Sequence, residues 1–370
     1  MPFSSAPILS EERLSQLTSE AVELLSSLIS TPRISREETA AADIFAHFIE
    51  SAGVGYHREA NNIWCITDDY DAARSTLLLN AHLDTVRPAS GWQRDPFKPS
   101  LEGDCLYGLG SNDDGASLVS LLQAFRVLAA RRQTYNIIFL ASAEEEVSGK
   151  NGVERVLPLL PPISVALVGE PTGMQPAIAE KGLMVLDLTA HGKSGHAARN
   201  EGVNALYKAV DDILWLRSYQ FPLVSELLGA VKMSVTQIEA GTQHNVVPDS
   251  CHFVVDVRSN ELYSNEEIYD EVCRNVEAEV KARSFRLGSS RIDTSHPLVQ
   301  SAILLGRTPF GSPTLSDQAL MHFPSMKMGP GQSSRSHTAD EYICISEIRQ
   351  AIGDYVAMLD GLQLAPLSGL

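Results

Sequence analysis

The sequence predicts an α/β fold: a mostly parallel β-sheet flanked by helices, with a smaller α+β domain inserted into it. Short continuous apolar runs, typical of strands buried on both faces, alternate with segments of helical hydrophobic spacing through the first half of the chain. A complete β-α-β-β-α-β series follows, and the chain then returns to helix and loop. An intact small unit between two parts of a larger one indicates an insertion. We therefore expect a larger domain over 1–178 and 290–370 and an inserted domain over 179–289.

The elements of the larger domain are predicted from hydrophobic periodicity. Helices are expected where apolar side chains recur at helical spacing, over Ser10–Ile29, Glu38–Ala52, Leu118–Leu128 and Ile345–Leu359. Strands are expected at short apolar runs, over Ser75–His82, Asn136–Ala141 and Val165–Val168. Because these strands alternate with helices, we expect them to lie parallel to one another.

The inserted domain is predicted in the same way. Its strands are expected over Leu183–Ala190, Lys232–Ile238 and His252–Val257, with a short last strand over Ser284–Leu287. Its helices are expected over Val203–Leu216 and Glu266–Lys281.

Composition and charge restrict the kind of partner. The chain has 29 Lys and Arg against 46 Asp and Glu and a net charge of −17, so nucleic acid and anionic membrane, which need a cationic surface, are not expected. No apolar run approaches the roughly 20 residues of a membrane span. The start of the chain, Met1–Pro7, lacks the basic and apolar regions of a signal peptide. The cysteines form no CxxC pair and suit the reduced thiols of a cytoplasmic protein: Cys65, Cys105, Cys251, Cys273 and Cys344.

Histidine and carboxylate side chains follow several predicted strands, at the positions where open α/β sheets place their sites. His82 and Asp84 end the first such strand. Alternate residues of an extended segment face the same way, so both side chains can point into one cleft. A carboxylate there can bind a metal directly or orient the imidazole. By itself, the His-x-Asp pattern is a weak signal, and an ordinary surface or core histidine is the favoured interpretation.

Further motifs can likewise be interpreted as functional or as purely structural. Asp113 lies in the glycine-rich segment Gly108–Gly115, which could simply cap the next helix and lacks the lysine and spacing of a phosphate-binding loop. The acidic triplet Glu144–Glu146 follows a buried strand, where adjacent carboxylates need a cation or protonation unless the segment is a solvated loop. Glu170 follows another buried strand, and His337 lies in a late loop rich in Gly and Ser.

Taken together, these motifs predict a metal site. Two histidines and three carboxylates from separate strand ends and one loop suit two divalent ions of the zinc type, which take nitrogen and oxygen ligands. The set contains no thiol, so a cysteine protease or a zinc finger is not expected.

The motifs resemble those of the di-zinc amidohydrolase and metallopeptidase family that contains acetylornithine deacetylase, succinyl-diaminopimelate desuccinylase, aminoacylase and glutamate carboxypeptidase. The matching motifs are His82-x-Asp84, Gly-x-Gly-Ser-x-Asp113, Glu145-Glu146, Gly-Glu170-Pro-Thr, His337-Thr-x-x-Glu and, in the inserted domain, Gly-Lys-Ser-Gly-His196-Ala. They cover almost the whole chain in the family's order, and among members the chain is most similar to acetylornithine deacetylase. The resemblance implies a zinc-exopeptidase-like catalytic domain and a ferredoxin-like lid domain that makes a homodimer interface.

Carried over residue by residue, the resemblance implies a centre of two Zn²⁺ per subunit, with Co²⁺ as a possible substitute. His82 and Glu170 would bind one zinc. Glu146 and His337 would bind the other, and Asp113 would bridge the two.

The resemblance also implies catalytic and substrate-binding roles. Glu145 would be the general base, and Asp84 would hold the zinc-binding histidine. His196 would reach the active site of the partner subunit and support the substrate carbonyl. Asn245 and Arg258 would help hold the carboxylate or acyl group of the substrate.

The implied activity is metal-dependent hydrolysis of an N-acyl amino acid, closest to deacylation of N-acetyl- or N-succinyl-ornithine in arginine biosynthesis. Alternatives are succinyl-diaminopimelate desuccinylation, or dipeptidase or carboxypeptidase activity on the same centre. A non-catalytic metal-dependent binding protein is disfavoured, because the implied ligands and base are all present. The chain departs from the family pattern at Leu109, at the Asp113–Ala116 segment and after His196, where a usual proline is missing. These departures touch no zinc or base position, but they leave both acetyl and succinyl open as the acyl group.

Overall fold

The chain forms two compact units in the computed structural model, which describes residues 9–199 and 201–365. Within these residues, the first unit comprises 9–178, 292–310 and 316–365, and the second comprises 179–291 and 311–315. The start of the chain, for which we predicted no signal peptide, lies outside the described residues. Each unit has its own hydrophobic core.

The helices are, in chain order, α1 (Glu11–Ile29), α2 (Thr39–Ser51), α3 (Ala116–Ala129), α4 (Val153–Val156), α5 (Ala205–Ser218), α6 (Asn265–Asn275), α7 (Pro297–Leu304) and α8 (Ile345–Leu359). None of the helices in the described part of the chain is long and apolar enough to cross a membrane. The strands are β1 (His57–Glu59), β2 (Asn62–Ile66), β3 (Thr76–His82), β4 (Ser100–Glu102), β5 (Cys105–Tyr107), β6 (Asn136–Ser142), β7 (Val165–Val168), β8 (Ala177–Glu180), β9 (Met184–His191), β10 (Lys232–Ala240), β11 (Ser250–Arg258), β12 (Glu279–Ala282), β13 (Ser290–Arg291), β14 (Phe310–Ser312), β15 (Ser325–Lys327) and β16 (Tyr342–Cys344).

The first unit is built on a sheet with the strand order β1-β2-β6-β3-β7-β15-β8. The central strands β6, β3, β7 and β15 are parallel, and the outer strands β2, β1 and β8 are antiparallel to their neighbours. Every residue of β3, β6 and β7 is buried, as expected for parallel strands that are covered on both faces. Helix α3 packs against α1 and α8, and all three contribute to this core. The predicted mostly parallel sheet with flanking helices is confirmed.

The first unit also contains a small antiparallel sheet, β16-β5-β4, that the sequence analysis did not predict. Tyr107 at the end of β5 pairs with Tyr342 at the start of β16. The segment Gly108–Gly115 therefore begins beside the place where the loop of His337 ends. This sheet brings together two segments that are far apart in the sequence and that both carry predicted metal ligands.

The second unit holds an antiparallel sheet in the order β10-β11-β9-β12. Helix α5 packs against β9, β10 and β11, and α6 packs against β12 and α5. Along β9, buried and partly exposed side chains alternate from Met184 to Ala190, because one face of the sheet covers the core. The chain order β9-α5-β10-β11-α6-β12 is the predicted β-α-β-β-α-β series of a ferredoxin-like fold.

The predictions for the last two elements of this series were wrong in their limits. Helix α6 ends at Asn275, not at Lys281, and the last strand is β12 rather than Ser284–Leu287. Helical spacing alone did not reveal the end of the helix, because apolar residues continue beyond it. Their spacing there also suits a β-strand with one buried face.

A buried carboxylate explains where the helix ends. Asp212 on α5 is 5% exposed and accepts the backbone N–H groups of Glu277 and Ala278, each at 3.0 Å. Val276 before them already has extended backbone angles. These two hydrogen bonds hold the chain out of the helix and lead it into β12.

We predict that Asp212→Ala lowers the free energy of unfolding by about 2 kcal/mol, because two backbone donors lose a charged acceptor. The matched control is Asp211→Ala, which removes the exposed neighbouring aspartate on the same helix and should cost less than about 0.5 kcal/mol. Calorimetric unfolding of the full chain measures both. Equal effects of the two substitutions would contradict this explanation of the helix end.

Candidate metal centre

Three neighbouring strands of the first unit end at the candidate site. His82 is the last residue of β3, Glu145 and Glu146 form a 3₁₀ turn shortly after β6, and Glu170 follows β7. Strands β6, β3 and β7 are adjacent and parallel, so their carboxyl ends meet at one edge of the sheet. The sheet therefore brings three predicted ligand segments together.

His82 is buried, and its contacts define which ring nitrogen is available. Its Nδ1 donates to the backbone oxygen of Asp84 at 3.0 Å, which leaves a lone pair on Nε2 when the ring is neutral. Nε2 lies 3.2 Å from Oδ1 of Asp113. Burial lowers the pKa of His82, but the carboxylates of Asp113 and Asp84 outweigh it, and the net direction is strongly upward. When the ring is neutral, Nε2 of His82 and Oδ1 of Asp113 are both acceptors, so this short distance requires a proton or a metal ion between them.

Asp113 lies between the two predicted histidine ligands. Its Oδ1 faces His82, and its Oδ2 lies 3.5 Å from Nε2 of His337. Burial raises the pKa of Asp113, but the contact with His82 outweighs it and holds the pKa below its usual range. A carboxylate that turns one oxygen to each histidine has the orientation of a bridging ligand.

His337 and Glu146 form the second pair. Nε2 of His337 lies 3.1 and 3.0 Å from the two carboxylate oxygens of Glu146. The contact with Glu146 raises the pKa of His337 to about 9. His337 adopts a positive φ of 58°, which non-glycine residues rarely adopt outside sites where surrounding contacts impose it.

Glu145 and Glu170 form a second group with His82, with ligand atoms within 4.8 Å of one another. Burial raises the pKa of both carboxyl groups well above the usual range, and their mutual repulsion adds to the effect at Glu145. The ammonium of Lys327 counteracts the rise at Glu170. These carboxylates are stable as anions only if positive charge is supplied close to them.

The donor set fits divalent cations. Ligand atoms of His82, Asp113 and Glu146 all lie within 4.8 Å of one another, and so do those of His82, Glu145 and Glu170. Imidazole nitrogen and carboxylate oxygen are the ligands that zinc takes besides thiolate. Several carboxylates lie close together here, and divalent cations would offset their negative charge.

Asp84 connects two of the ligand segments. It is fully buried, and its carboxylate accepts the backbone N–H groups of Glu145 at 3.0 Å and Glu146 at 3.2 Å. The hydroxyl of Ser35 donates to it at 2.7 Å. These contacts with the chain at His82 and with the acidic turn fix the position of both segments.

Glu341 is a site residue whose role the sequence did not reveal. It is 2% exposed, and its carboxylate accepts backbone N–H groups of Gly110 at 2.9 Å, Asn112 at 2.8 Å and Asp113 at 2.9 Å. Burial raises its pKa to about 7. The motif His337-Thr-x-x-Glu named this residue, but only the fold shows that it holds the segment presenting Asp113.

Two more buried carboxylates border the site and were also missed. Burial raises the pKa of Asp114 to about 7 and that of Asp317 to about 6. The backbone N–H of His82 donates to Asp114 at 3.3 Å, and the hydroxyl of Ser142 donates to Asp317 at 2.6 Å. Asp317 lies outside every motif, and no local pattern marks it.

The remaining predicted site residues lie in the second unit. His196 is exposed, its backbone bridges Val246, and its Nδ1 accepts the N–H of Ala198 at 3.2 Å. The backbone oxygen of Asn245 accepts the N–H of Ala197 at 3.1 Å, so His196 and Asn245 are neighbours. Arg258 ends β11 and forms a two-point ion pair with Asp256, at 2.8 and 3.1 Å.

The chain is similar to known sequences. The chain is 26% identical over 273 residues to succinyl-diaminopimelate desuccinylase of Halorhodospira halophila, which is 69% of this chain and 71% of that protein. It is 30% identical over 261 residues to acetylornithine deacetylase of Pectobacterium atrosepticum, which is 64% of this chain and 67% of that protein.

A solved structure and a family profile complete the comparison. The fold is similar to that of the YXEP protein of Bacillus subtilis, a dinuclear metal-binding peptidase, with a TM-score of 0.72, 16% identity, and coverage of 93% of this chain and 98% of that one. Residues 78–360, well over half of the chain, match the profile of peptidase family M20/M25/M40. The chain therefore belongs to peptidase family M20/M25/M40 and is an amidohydrolase.

Proposed function

We propose that this amidohydrolase is a metal-dependent deacylase that hydrolyses the amide bond of an N-acyl amino acid. The observation that carries the proposal is the clustering of His82 with Asp113 and Glu146 and with Glu145 and Glu170, each group within 4.8 Å. The partly exposed His337 lies beside Glu146 and Asp113. The two relatives described above are both named for deacylation of an amino-acid derivative.

The metal ligands that we propose are His82 and Glu170 for one cation, Glu146 and His337 for the other, and Asp113 as the bridge. The orientation of Asp113, with one oxygen toward each histidine, supports the bridging role. We propose Zn²⁺ as the native ion and Co²⁺ as a working substitute. When bound, such cations lower the pKa of water and polarise the carbonyl of the amide.

Glu145 is the proposed general base. Its carboxylate takes a proton from the attacking water and passes it to the nitrogen of the leaving amine. Its contacts suit the task, because the backbone of Glu145 is fixed on Asp84 while its side chain lies beside His82 and Glu170. Asp84 is the proposed orienting carboxylate, since Nδ1 of His82 donates to its backbone oxygen and lies 3.5 Å from its Oδ1.

The proposed substrate is N-acetyl- or N-succinyl-ornithine, which would place the enzyme in arginine biosynthesis. Succinyl-diaminopimelate is the alternative, and a dipeptide is a third possibility on the same centre. The similarity to the acetylornithine deacetylase and the desuccinylase supports the first two. Asn245 and Arg258 are the proposed contacts for the carboxylate or acyl group. A cytoplasmic location is also proposed, in keeping with the five free cysteines of the described chain.

A homodimer through the second unit is also proposed. Helix α5 exposes a stripe of apolar side chains at helical spacing, formed by Tyr207 at 69%, Val210 at 42% and Leu214 at 53% exposure. Strand β10 is an edge strand and exposes Ile238. An apolar helix face beside an open strand edge suits a second copy of the same surface. In such a dimer, His196 supports the substrate carbonyl in the active site of the partner subunit.

The purified protein should release amine from N-acetyl- or N-succinyl-ornithine faster than from succinyl-diaminopimelate or any dipeptide in a ninhydrin assay. Prolonged chelation should abolish the reaction, and Zn²⁺ or Co²⁺ should restore it, because the cations would lower the pKa of the attacking water and polarise the amide carbonyl. Full activity of metal-free protein would exclude the metal mechanism, and a preference for dipeptides would exclude the deacylase.

Changing each of the two adjacent glutamates to glutamine should have a different effect. Glu145→Gln should retain two metals and lose about 10³-fold or more in kcat, since only the base is removed. Glu146→Gln should lose one metal. Metal content by mass spectrometry and steady-state kinetics measure both effects. The opposite pair of phenotypes would show that the roles of the two residues are exchanged.

His196→Ala should reduce kcat by about 10²-fold or more with both metals retained, the scale of losing one oxyanion donor. Mixing His196→Ala subunits with Glu145→Gln subunits should restore activity, to at most about half of the wild-type rate per heterodimer. One site then combines an intact base with an intact histidine from the other chain. If subunits exchange and no activity returns, His196 acts within its own chain or not at all.

A further inference from the structure

The segment between α1 and α2 contains a buried arginine that no sequence motif marked. Arg33 is 2% exposed. Its Nη1 donates to the backbone oxygen of Leu83, and its Nη2 donates to the backbone oxygen of Gly110 at 2.7 Å. Leu83 lies between His82 and Asp84. The guanidinium therefore joins the end of β3 to the segment that presents Asp113.

The backbone of this segment is fixed as well. The oxygen of Arg33 accepts the N–H of Thr85 at 2.9 Å, and the N–H of Ser35 donates to the oxygen of Thr85 at 3.1 Å. The chain at Arg33 thus runs beside the chain that follows His82. Both the main chain and the side chain of this arginine are held against ligand-bearing segments.

Gly110 is shaped to receive the guanidinium. It has a positive φ of 70°, and a Cβ at this position would lie 2.5 Å from Nη2 of Arg33 and 2.4 Å from a methyl carbon of Thr85. Its N–H donates to Glu341, while its oxygen accepts from Arg33. Both polar groups of Gly110 are therefore held by buried charged side chains of opposite sign.

Burying a guanidinium is costly, and carboxylates surround this one. Burial lowers the pKa of Arg33, and the nearby carboxylates act in the opposite direction: Glu341, Asp84, Asp114 and Asp113. Arg33 contacts backbone oxygens rather than a predicted ligand side chain. These contacts fix the position of the His82 segment relative to the Asp113 segment.

We propose that Arg33 is a positioning residue of the metal centre, which fixes the distance between the His82 segment and the Asp113 segment by bridging Leu83 and Gly110. This inference rests on the proposed metal-dependent function. It assigns the α1–α2 segment a part in metal binding although that segment supplies no ligand.

The direction of the change in metal affinity distinguishes a positioning role for Arg33 from a purely electrostatic one. A positive charge near a cation site repels the cation, so removing only that charge would tighten metal binding. Removing a residue that holds two ligand segments in place weakens metal binding, by about 10- to 100-fold for outer contacts of this kind. The two explanations predict opposite changes in affinity.

The experiment titrates metal-free full-length protein with Co²⁺, measuring the dissociation constants and the visible absorption of the bound ion, which reports ligand geometry. Arg33→Met removes the charge and both hydrogen bonds at similar volume. Arg33→Lys keeps the charge but cannot bridge two oxygens with a planar fork. Arg126→Met is the matched control, because Arg126 is a largely buried arginine that pairs with Glu20 on α1 and touches no ligand segment.

We expect Arg33→Met to weaken Co²⁺ binding about 10-fold or more and to change the spectrum, Arg33→Lys to weaken it less, and Arg126→Met to match the wild type. If Arg33→Met does not fold, a weakened Arg33→Lys supports the proposal and an unchanged Arg33→Lys overturns it. Unchanged or tighter binding by Arg33→Met also overturns it. A wild-type chain that binds no Co²⁺ would contradict the metal centre itself, which is a different result from unchanged binding by the variants.

Discussion

Repulsion among buried carboxylates is the constraint on which the first unit depends. Asp113, Glu145, Glu146 and Glu170 converge beside His82, and burial raises the pKa of Glu145 and Glu170 well above the usual range. Burying several such anions is unfavourable unless positive charge is placed among them. Divalent cations would supply that charge, and imidazole and carboxylate groups are suitable ligands for them. The same feature that would destabilise an empty cluster therefore favours metal binding.

The ligand segments are irregular, and other buried polar groups hold them in place. Asp84 accepts N–H groups from the acidic turn, Glu341 accepts three N–H groups from the segment of Asp113, and Arg33 donates to the oxygens of Leu83 and Gly110. Each of these side chains hydrogen-bonds to backbone groups, which fixes the irregular loops that carry the ligands. The parallel strands determine which segments meet, and these contacts determine how closely they meet.

The sequence predicted the parts of the molecule that local patterns encode. The buried strands β3, β6 and β7 appeared as continuous apolar runs, and the residues that follow them appeared as short motifs. The predicted end of α6 was wrong because the helix is ended by hydrogen bonds to Asp212, which lies on α5. The sheet β16-β5-β4 was missed because its strands are short and far apart in the sequence. Arg33 and Glu341 act on backbone groups that are distant in sequence, which no periodicity or spacing reveals.

The most direct test of the account is anomalous X-ray diffraction at the zinc edge from crystals of the zinc-loaded protein. Two peaks are expected, one between Nε2 of His82 and Glu170 and the other between Glu146 and His337, with Asp113 in contact with both. A single peak, or peaks that do not contact Asp113, would contradict the two-cation centre on which the proposed chemistry depends.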